Sequence, residues 1–494
     1  MRKLYDYYRE WMAVERMIVT NAIVFAFGLV WLVGCASPLD SYSAGPMGLP
    51  QRLPEVNAPT APTDTEEAAW DAAGGGVDVI EGTLSLERCV ELALAQNPGL
   101  KSVSDEAGQA SAESDLARST AWPKLDAVAG YTHTLDAQRL VGAHRNGEAG
   151  VFANDVISSD LVLSMPIFTG GQITHRIKAS EILKAAAEHR LSRTKRELIF
   201  NVTSLYYGIL AQERLIESDE FSRKAIERQR DRIAELIKVQ KAAKVDLLRT
   251  EVRLSNIKQQ LIAQRNRLEI QRRTLGTLLG IREKSVKVAG DLEAEVVIPT
   301  ERPSTDESLA QREDYLAAFA AVEAERHQFE AAKGARWPQI SAGASYGGRF
   351  GLDADGPSGT DDIEDVGTVG VFGTVPIFDG GEIASQVLKE RFQLSADRQR
   401  LHGLELQIDL EIETAWRNVQ SADERVKATT TAVAQGEESL RIEQEKYELA
   451  KGTIVDVLDA QSALLEAQTT YYQALADRQI ALAQLELAMG SVKS

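Results

Sequence analysis

Two hydrophobic periods alternate along this chain, and the alternation occurs twice. Within residues 340–352 the even positions carry Ile340, Ala342, Ala344, Tyr346, Phe350 and Leu352, while Gln339, Ser341, Ser345 and Arg349 hold odd positions with glycines between. A period of two with one apolar and one polar face predicts a β-strand. Residues 366–377 repeat the pattern, with Val369, Val371, Val375 and Ile377 on one side and Thr368 and Thr374 on the other. Residues 125–135 and 157–167 show it less cleanly. Polar, glycine-rich segments (AQRLVGAHRNGEAG and DADGPSGTDDIED) separate the members of each pair, so two β-hairpins are expected, about residues 124–167 and 339–377. Strands of ~10–13 residues match the length of a tilted membrane-spanning strand.

The rest of the chain has period seven. Leu247, Leu254, Leu261, Leu268 and Leu275 are spaced by seven, as are Ile412, Val419, Val426, Val433, Leu440 and Tyr447, and again Leu475, Leu482 and Met489. Such spacing with charge between predicts coiled-coil helices, an ordinary helical bundle being the alternative. Residues 173–236 and 245–279 contain no proline, which permits helices of ~35–60 residues, ~50–90 Å long. Short turns are expected at 239–244 (VQKAAK) and 450–454 (AKGTI). Gly452 is the expected helix stop, and Thr453 or Asp456 the cap of the next helix.

The two halves also repeat in detail. Trp122-Pro123-Lys124-Leu125 returns as Trp337-Pro338-Gln339-Ile340, and Tyr131 as Tyr346. MPIFTGGQI at 165–173 returns as VPIFDGGEI at 375–383, with the spacing five residues shorter, a loss placed in the second hairpin loop. The shorter spacing then continues: Tyr206 matches Trp416, Lys241 matches Lys451, and Val245-Asp246 matches Val455-Asp456. The expected organisation is a first repeat at 83–280, a linker at 281–306 and a second repeat at 307–490. Each repeat reads as helix, hairpin, long helix, tight turn, long helix. Pro166 and Pro376 are expected to end their strands, since proline cannot donate to a sheet ladder. Gly170-Gly171 and Gly380-Gly381 then redirect the chain into the long helix.

Composition narrows the function classes. Of 494 residues 44% are hydrophobic and 26% charged, so the chain is not disordered overall. Its net charge of −18 and the lack of a basic stripe argue against a nucleic-acid partner. Cys35 and Cys89 have no CxxC spacing, and the six histidines are scattered. With no Walker loop, GxSxG or dinucleotide fingerprint either, the chain is read as a non-enzyme without cofactor or metal. Cys89 lies in an amphipathic helix and is expected to be a small buried residue.

The N-terminus carries its own signal. MIVTNAIVFAFGLVWLVG at 17–34 is uncharged and apolar, and it follows Arg2, Lys3, Arg9 and Arg16. Residues 1–34 read as an export signal, with a membrane anchor as the alternative. Leu32-Val33-Gly34-Cys35 resembles the lipobox of bacterial lipoproteins, which implies lipidation of Cys35; Ala36 after it favours the outer membrane. Residues 35–82, rich in Pro, Ser, Thr, Ala and Gly, read as a flexible linker.

Four membrane-length strands cannot close a barrel that needs about eight, and open edges are not tolerated in lipid. The strands must therefore be pooled between copies. At this point the duplicated plan, the two Pro-Ile-Phe-x-Gly-Gly junctions, KVDLLRTEVRL and IVDVLDAQSALLEAQ make the chain similar to the TolC-like outer membrane efflux protein family, over roughly residues 83–490. The resemblance implies a mainly α fold with membrane β: a homotrimer whose four strands per chain form a shared 12-stranded β-barrel, with an α-helical periplasmic tunnel. It implies a passive exit duct of a tripartite efflux or type I secretion system. The implied partners are a periplasmic adaptor, an inner-membrane RND, ABC or MFS pump, and outer-membrane lipid. A coiled-coil envelope lipoprotein without channel activity is the competing class, and it leaves the four strands unexplained.

The resemblance also implies sites. Tyr447, Asp456 and Asp459 are tunnel-entrance candidates, the two aspartates lying three apart on one side of a helix. Stacked carboxylate rings would attract cations; acids in a first helical turn also stabilise its N-terminus without any pore. An ungapped match puts Gly452 where the family pattern has an arginine. Lys241, Lys244, Asp246, Lys451 and Gly452 are adaptor-docking candidates, with divergent surface loops as the alternative.

Overall fold

The structure is a computed structural model that describes residues 82–139, 152–240, 242–281, 285–294, 296–351, 364–449 and 451–491. The export signal, Cys35, the linker short of Gly82, and Lys241 lie outside the described residues. Short strands β1 (Thr83–Leu84) and β4 (Lys287–Val288) pair in parallel. Between them run α1 (Leu86–Gln96), α2 (Pro98–Ser119), β2 (Lys124–Arg139), β3 (Phe152–Phe168), α3 (Gln172–Lys238) and α4 (Lys244–Leu278). The second half contains α5 (Thr305–Gln311), α6 (Glu313–Gly334), β5 (Gln339–Gly351), β6 (Glu364–Thr374), α7 (Glu382–Glu448) and α8 (Ile454–Met489). At 67 residues each, α3 and α7 run about 100 Å. Among the described residues no helix is long and apolar enough to cross a membrane.

Residue spacing carries the repeat through to atomic detail. The register Lys124↔Ser164 in the first hairpin becomes Gln339↔Thr374 in the second, as the Trp-Pro and Pro-Ile-Phe spacings require. The ends of α2 match those of α6, and the ends of α3 those of α7, on the same spacings. A knot at the base of each repeat is duplicated too. Asn97 donates from Nδ2 to the Leu278 carbonyl at 2.9 Å, and Arg312 donates from Nη1 to the Ala488 carbonyl at 3.3 Å. Gly280 and Gly490, both at φ +72°, lie against the backbone of Gln96 and Gln311, where a Cβ would come within 2.6 and 2.8 Å of the carbonyl oxygens. Arg312 is fully buried and also pairs with Asp314 and, at 2.7 Å, with Glu411.

Packing is distributed rather than gathered into one core. The helices lie side by side, α4–α3–α8–α7 towards the turns and α2–α3–α6–α7 towards the sheet. One cluster joins β1, α1, β4, α3 and α4 through Leu84, Cys89, Leu92, Val202, Ile209 and Leu275. Cys89 is completely buried, which pushes its thiol up to about 11 and leaves it unreactive. Ile408, Ile412, Val419 and Leu485 form the second cluster between α7 and α8. Each such side chain contributes about 1.5–3 kcal/mol of burial. Further down, α3 is bound to α4 and α8 by polar side chains as well: Asp219 accepts from Gln260 at 3.1 Å, Gln461 donates to Ser222 at 3.3 Å, and Ser218 donates to Gln468.

Candidate functional site: an open sheet and two helical tips

The long strands form one antiparallel sheet in the order β2-β3-β5-β6. Register assigns its faces. Leu125, Leu163, Ala344 and Val369 form one transverse row, and Ala127, Leu161 and Tyr346 lie in the next on the same face. On the other face Asp126, Val162, Ser345 and Thr368 align, with Ser345 and Thr368 hydroxyls 2.7 Å apart and Arg349 paired to Asp160 at 2.8 Å. The apolar face is uncovered: Leu125, Leu161, Tyr346, Val369 and Val371 are all exposed. Among the described residues both outer strands, β2 and β6, have an unpaired edge. An apolar sheet face with open edges is incomplete in water and in lipid alike.

The junction prolines behave unequally, which corrects the expectation that both end a strand. β3 continues through Pro166, which pairs with Ser341, to Phe168 across a bulge, whereas β6 stops at Thr374, before Pro376. Pro166 is tolerated because β2 begins at Lys124, opposite Ser164, so only β5 still neighbours β3 at that level. After the strand, Gly170 and Gly171 (φ +60° and +84°) and Gly380 and Gly381 (φ +66° and +92°) take the left-handed conformation that turns the chain into α3 and α7.

At the far ends of the helices lie the two turns. The second is closed by a capping box: Thr453 receives the Asp456 N–H, and the Asp456 carboxylate accepts from the Thr453 N–H at 2.8 Å and its hydroxyl at 2.7 Å. These bonds hold the Asp456 carboxyl below the usual range. Gly452 is not in the left-handed conformation expected of a helix stop; α7 instead ends with the Lys451 N–H bonded to the Lys446 carbonyl at 2.8 Å. Asp456 and Asp459 are both exposed on α8. Tyr447 does not stand free with them. It packs on the apolar tip cluster of Ile233, Ile454, Val457 and Leu458, where burial first and then nearby Asp246 raise its hydroxyl. Lys244 opens α4 and, like Lys451, is exposed.

One tip contact was not legible from the sequence. Arg232 of α3 donates to Glu448 of α7 at 2.7 Å, tying one repeat's tip to the other's. Matching charges sit throughout both helices, so no local signal singles out this pair.

The sequence model described as "Outer membrane efflux protein" matches residues 89–281 and again 305–491, one match for each repeat. The outer membrane protein TolC of Escherichia coli (strain K12) is 22% identical over 425 residues, covering 83% of this chain and 82% of that protein. The outer membrane efflux protein BepC of Brucella suis is 23% identical over 329 residues, 66% of this chain and 71% of its own. Among solved structures, the CmeC outer membrane channel of Campylobacter jejuni superposes with a TM-score of 0.70 at 18% identity, covering 92% of this chain and 94% of that one. CusC does so with a TM-score of 0.72 at 17% identity, over 82% and 91%. With its paired hairpins, its long helices and a match in each repeat, the chain belongs to the outer membrane efflux protein family.

Proposed function

We propose that this protein is the outer-membrane exit duct of a tripartite efflux or type I secretion system. Three copies share a 12-stranded barrel and a helical periplasmic tunnel, lipid-anchored through Cys35. The observation that carries the reading is the four-stranded sheet, apolar on one exposed face, polar on the other, and open at both edges. Such a sheet is completed by further copies, with the apolar face to lipid and the Asp160–Arg349 face to a water-filled lumen. The helical tips meet a periplasmic adaptor, below which an inner-membrane RND, ABC or MFS pump supplies the energy. Lys241, Lys244, Asp246, Lys451 and Gly452 are the proposed contacts. Differences between the two turns support docking that distinguishes them: one carries a capping box, the other has no side-chain cap.

Three-fold repetition places Asp456 and Asp459 in stacked carboxylate rings at the tunnel entrance. The capping bonds that lower Asp456 keep it ionised into mildly acidic conditions, so capping and cation attraction are compatible. Arg232–Glu448 supplies a tip-to-tip tie in a chain with Gly452 at the family's arginine position. The test is conductance of the purified protein in planar bilayers. A correctly folded oligomer that conducts nothing overturns the duct, and Asp459→Asn, which leaves the cap intact, should lower cation preference.

A further inference from the structure

We propose that His175 and His327 form a binding site for a divalent transition-metal ion, copper(II) above all, which clips the first repeat to the second just beneath the sheet. The inference goes beyond the duct reading and does not rest on it, because both ligands belong to one chain.

The six histidines are scattered along the sequence, yet folding brings together two that stand 152 positions apart. His175 lies in the first turn of α3 and His327 on α6, and both are half-buried. Their Nδ1 atoms are 3.0 Å apart, and the ring centroids 5.3 Å apart at a tilt of 32°. One ion that holds two imidazole nitrogens at about 2.0–2.1 Å, with about 90–110° between them, sets those nitrogens about 2.9–3.4 Å apart. The observed separation falls in that range. As the pair stands, one ring donates its Nδ1 proton to the other. Binding moves that proton to Nε2 of the donor ring, so both Nδ1 lone pairs face the ion and neither ring changes charge.

Packing of the seam between the repeats holds the rings in place. The start of α3 lies against the end of α6: a Cβ on Gly334 would come within 3.0 Å of Gln172, and a Cβ on Gly170 would collide with the Gly334 carbonyl and approach Trp337 to 2.7 Å. Counting along the two helices from Gln172 and Gly334 sets His175 level with Ala331 and His327 level with Ala179. Both alanines are buried, so each imidazole has a small side chain across from it and room to meet the other. Nothing in the duplication accounts for this arrangement. The matching positions carry Ser385 and Ala112 for the histidines, Lys389 and Leu116 for the alanines. Gly380, counterpart of Gly170, has no atom within 4 Å of where a Cβ would lie.

The surroundings select the metal. Burial first, then the charges of His175, Arg326 and Lys178, hold His327 below the usual imidazole range, which leaves it neutral at neutral pH. Lys178 and Arg326 are exposed nearby, and Glu323, one turn from His327, is paired with Arg326 at 3.5 Å. Among the described residues no third histidine, cysteine or carboxylate completes the set, so water takes the remaining positions. A site with two nitrogens, no carboxylate and two cations at hand does not hold Mg2+ or Ca2+, which need oxygen ligands. Imidazole suits Cu2+, Ni2+ and Zn2+, and Cu2+ binds such donors most tightly.

Cu2+ itself is the probe, added to the chelator-stripped full-length protein in detergent. Electron paramagnetic resonance should show one tightly bound ion per chain, split by two imidazole nitrogens, and Cu2+ should raise the unfolding midpoint. His175→Ser and His327→Ala install the residues of the matching positions. Each should weaken the tightest Cu2+ binding at least about tenfold, remove the two-nitrogen signature and abolish the shift in midpoint, while the metal-free midpoint shows that the variants are folded. If His327→Ala does not fold, His327→Gln, closer in size, takes its place. A thousandfold excess of Mg2+ or Ca2+ should not displace the ion. Binding that persists undiminished in both variants, a signature of fewer than two nitrogens, or a folded unsubstituted protein that binds no Cu2+ overturns the site.

Discussion

α3 and α7 have the same length, follow the same Pro-Ile-Phe-x-Gly-Gly junction and end at turns of the same size, yet α3 buries 17 residues and α7 only seven. The difference is one of position. α3 has neighbours on both sides, α4 and α8 towards the tips and α2 and α6 towards the sheet, whereas α7 is the last helix of the layer. Its exposed Phe392, Leu406 and Leu410 are apolar surface left uncovered by the described residues. A duplicated sequence thus gives two different environments, because a single row of helices has an inside and an end.

The sharpest way to break this comparison is at the duplicated knot, where one repeat uses a charge and the other an amide. Arg312→Ala leaves Asp314 and Glu411 without their buried partner and should cost about 3–5 kcal/mol, against about 1–2 kcal/mol for Asn97→Ala, read by thermal unfolding in detergent. The gap depends on pH. Burial is the largest single influence and would raise the Asp314 carboxyl, but the hydrogen bond and charge of Arg312, with Arg193 and the Tyr315 N–H, together outweigh it and hold the group below its usual range. The stability it contributes is therefore present above about pH 4 and lost as pH falls further. Equal costs for the two variants at neutral pH would contradict this account.

Next in size come the junction glycines. On the separated chain, Gly170→Ala combines left-handed strain with a backbone collision and should cost about 3 kcal/mol. Gly380→Ala meets only the strain, about 1–2 kcal/mol. Thermal unfolding of the separated chain reads both, and equal costs would contradict the difference in enclosure between the two junctions.

Asp219 tests the inner helix itself. It is buried on α3 with Gln260 as its hydrogen-bond donor, and burial pushes its carboxyl up to about 6. Above that pH the charged form penalises the fold; as pH falls from 6 towards 4 the group protonates in the folded chain first and stability rises. Asp219→Asn should therefore stabilise by about 2 kcal/mol at pH 7 and by nothing below about pH 4. Its counterpart Thr429 is not buried, and Thr429→Asn should be silent in the same unfolding curves.

The smallest effects belong to the turns. Thr453→Ala removes the capping box and should cost about 1 kcal/mol, whereas Ala243→Thr supplies a cap that α4 lacks and should gain up to that amount. Hydrogen exchange of the first turns of α8 and α4 reports both. No change in either helix would mean the turns are held by the Tyr447 and Ile454 packing alone.

Much of this architecture was legible in one dimension. Period-two alternation marked the strands because one face of the sheet is apolar and the other polar; period-seven spacing and long proline-free runs marked the helices. The Gly-Gly junctions were legible because only glycine takes that backbone conformation cheaply. The sequence did not reveal that Pro166 lies within a strand, since that depends on where its neighbour β2 happens to begin. Nor did it reveal that Gly452 is not left-handed, that Tyr447 packs into the tip core near Asp246, or that Arg232 meets Glu448. The Tyr447 and Arg232 contacts join residues far apart along the chain, and the Gly452 backbone follows from how α7 closes on the Lys446 carbonyl; identical local patterns are compatible with either outcome.

What the sequence determined by itself, then, is the kind and order of the long elements, because periodicity and backbone preference are local properties; their lengths ran past the expectation, to 16 and 17 residues in β2 and β3 and 67 in α3 and α7. It also determined that the unit is built twice. What the tertiary structure decided is which copy of each element ends up enclosed. Only the folded chain shows a seam closed at Gly170 and open at Gly380, because enclosure depends on neighbours that repeat symmetry supplies to the first half and withholds from the second.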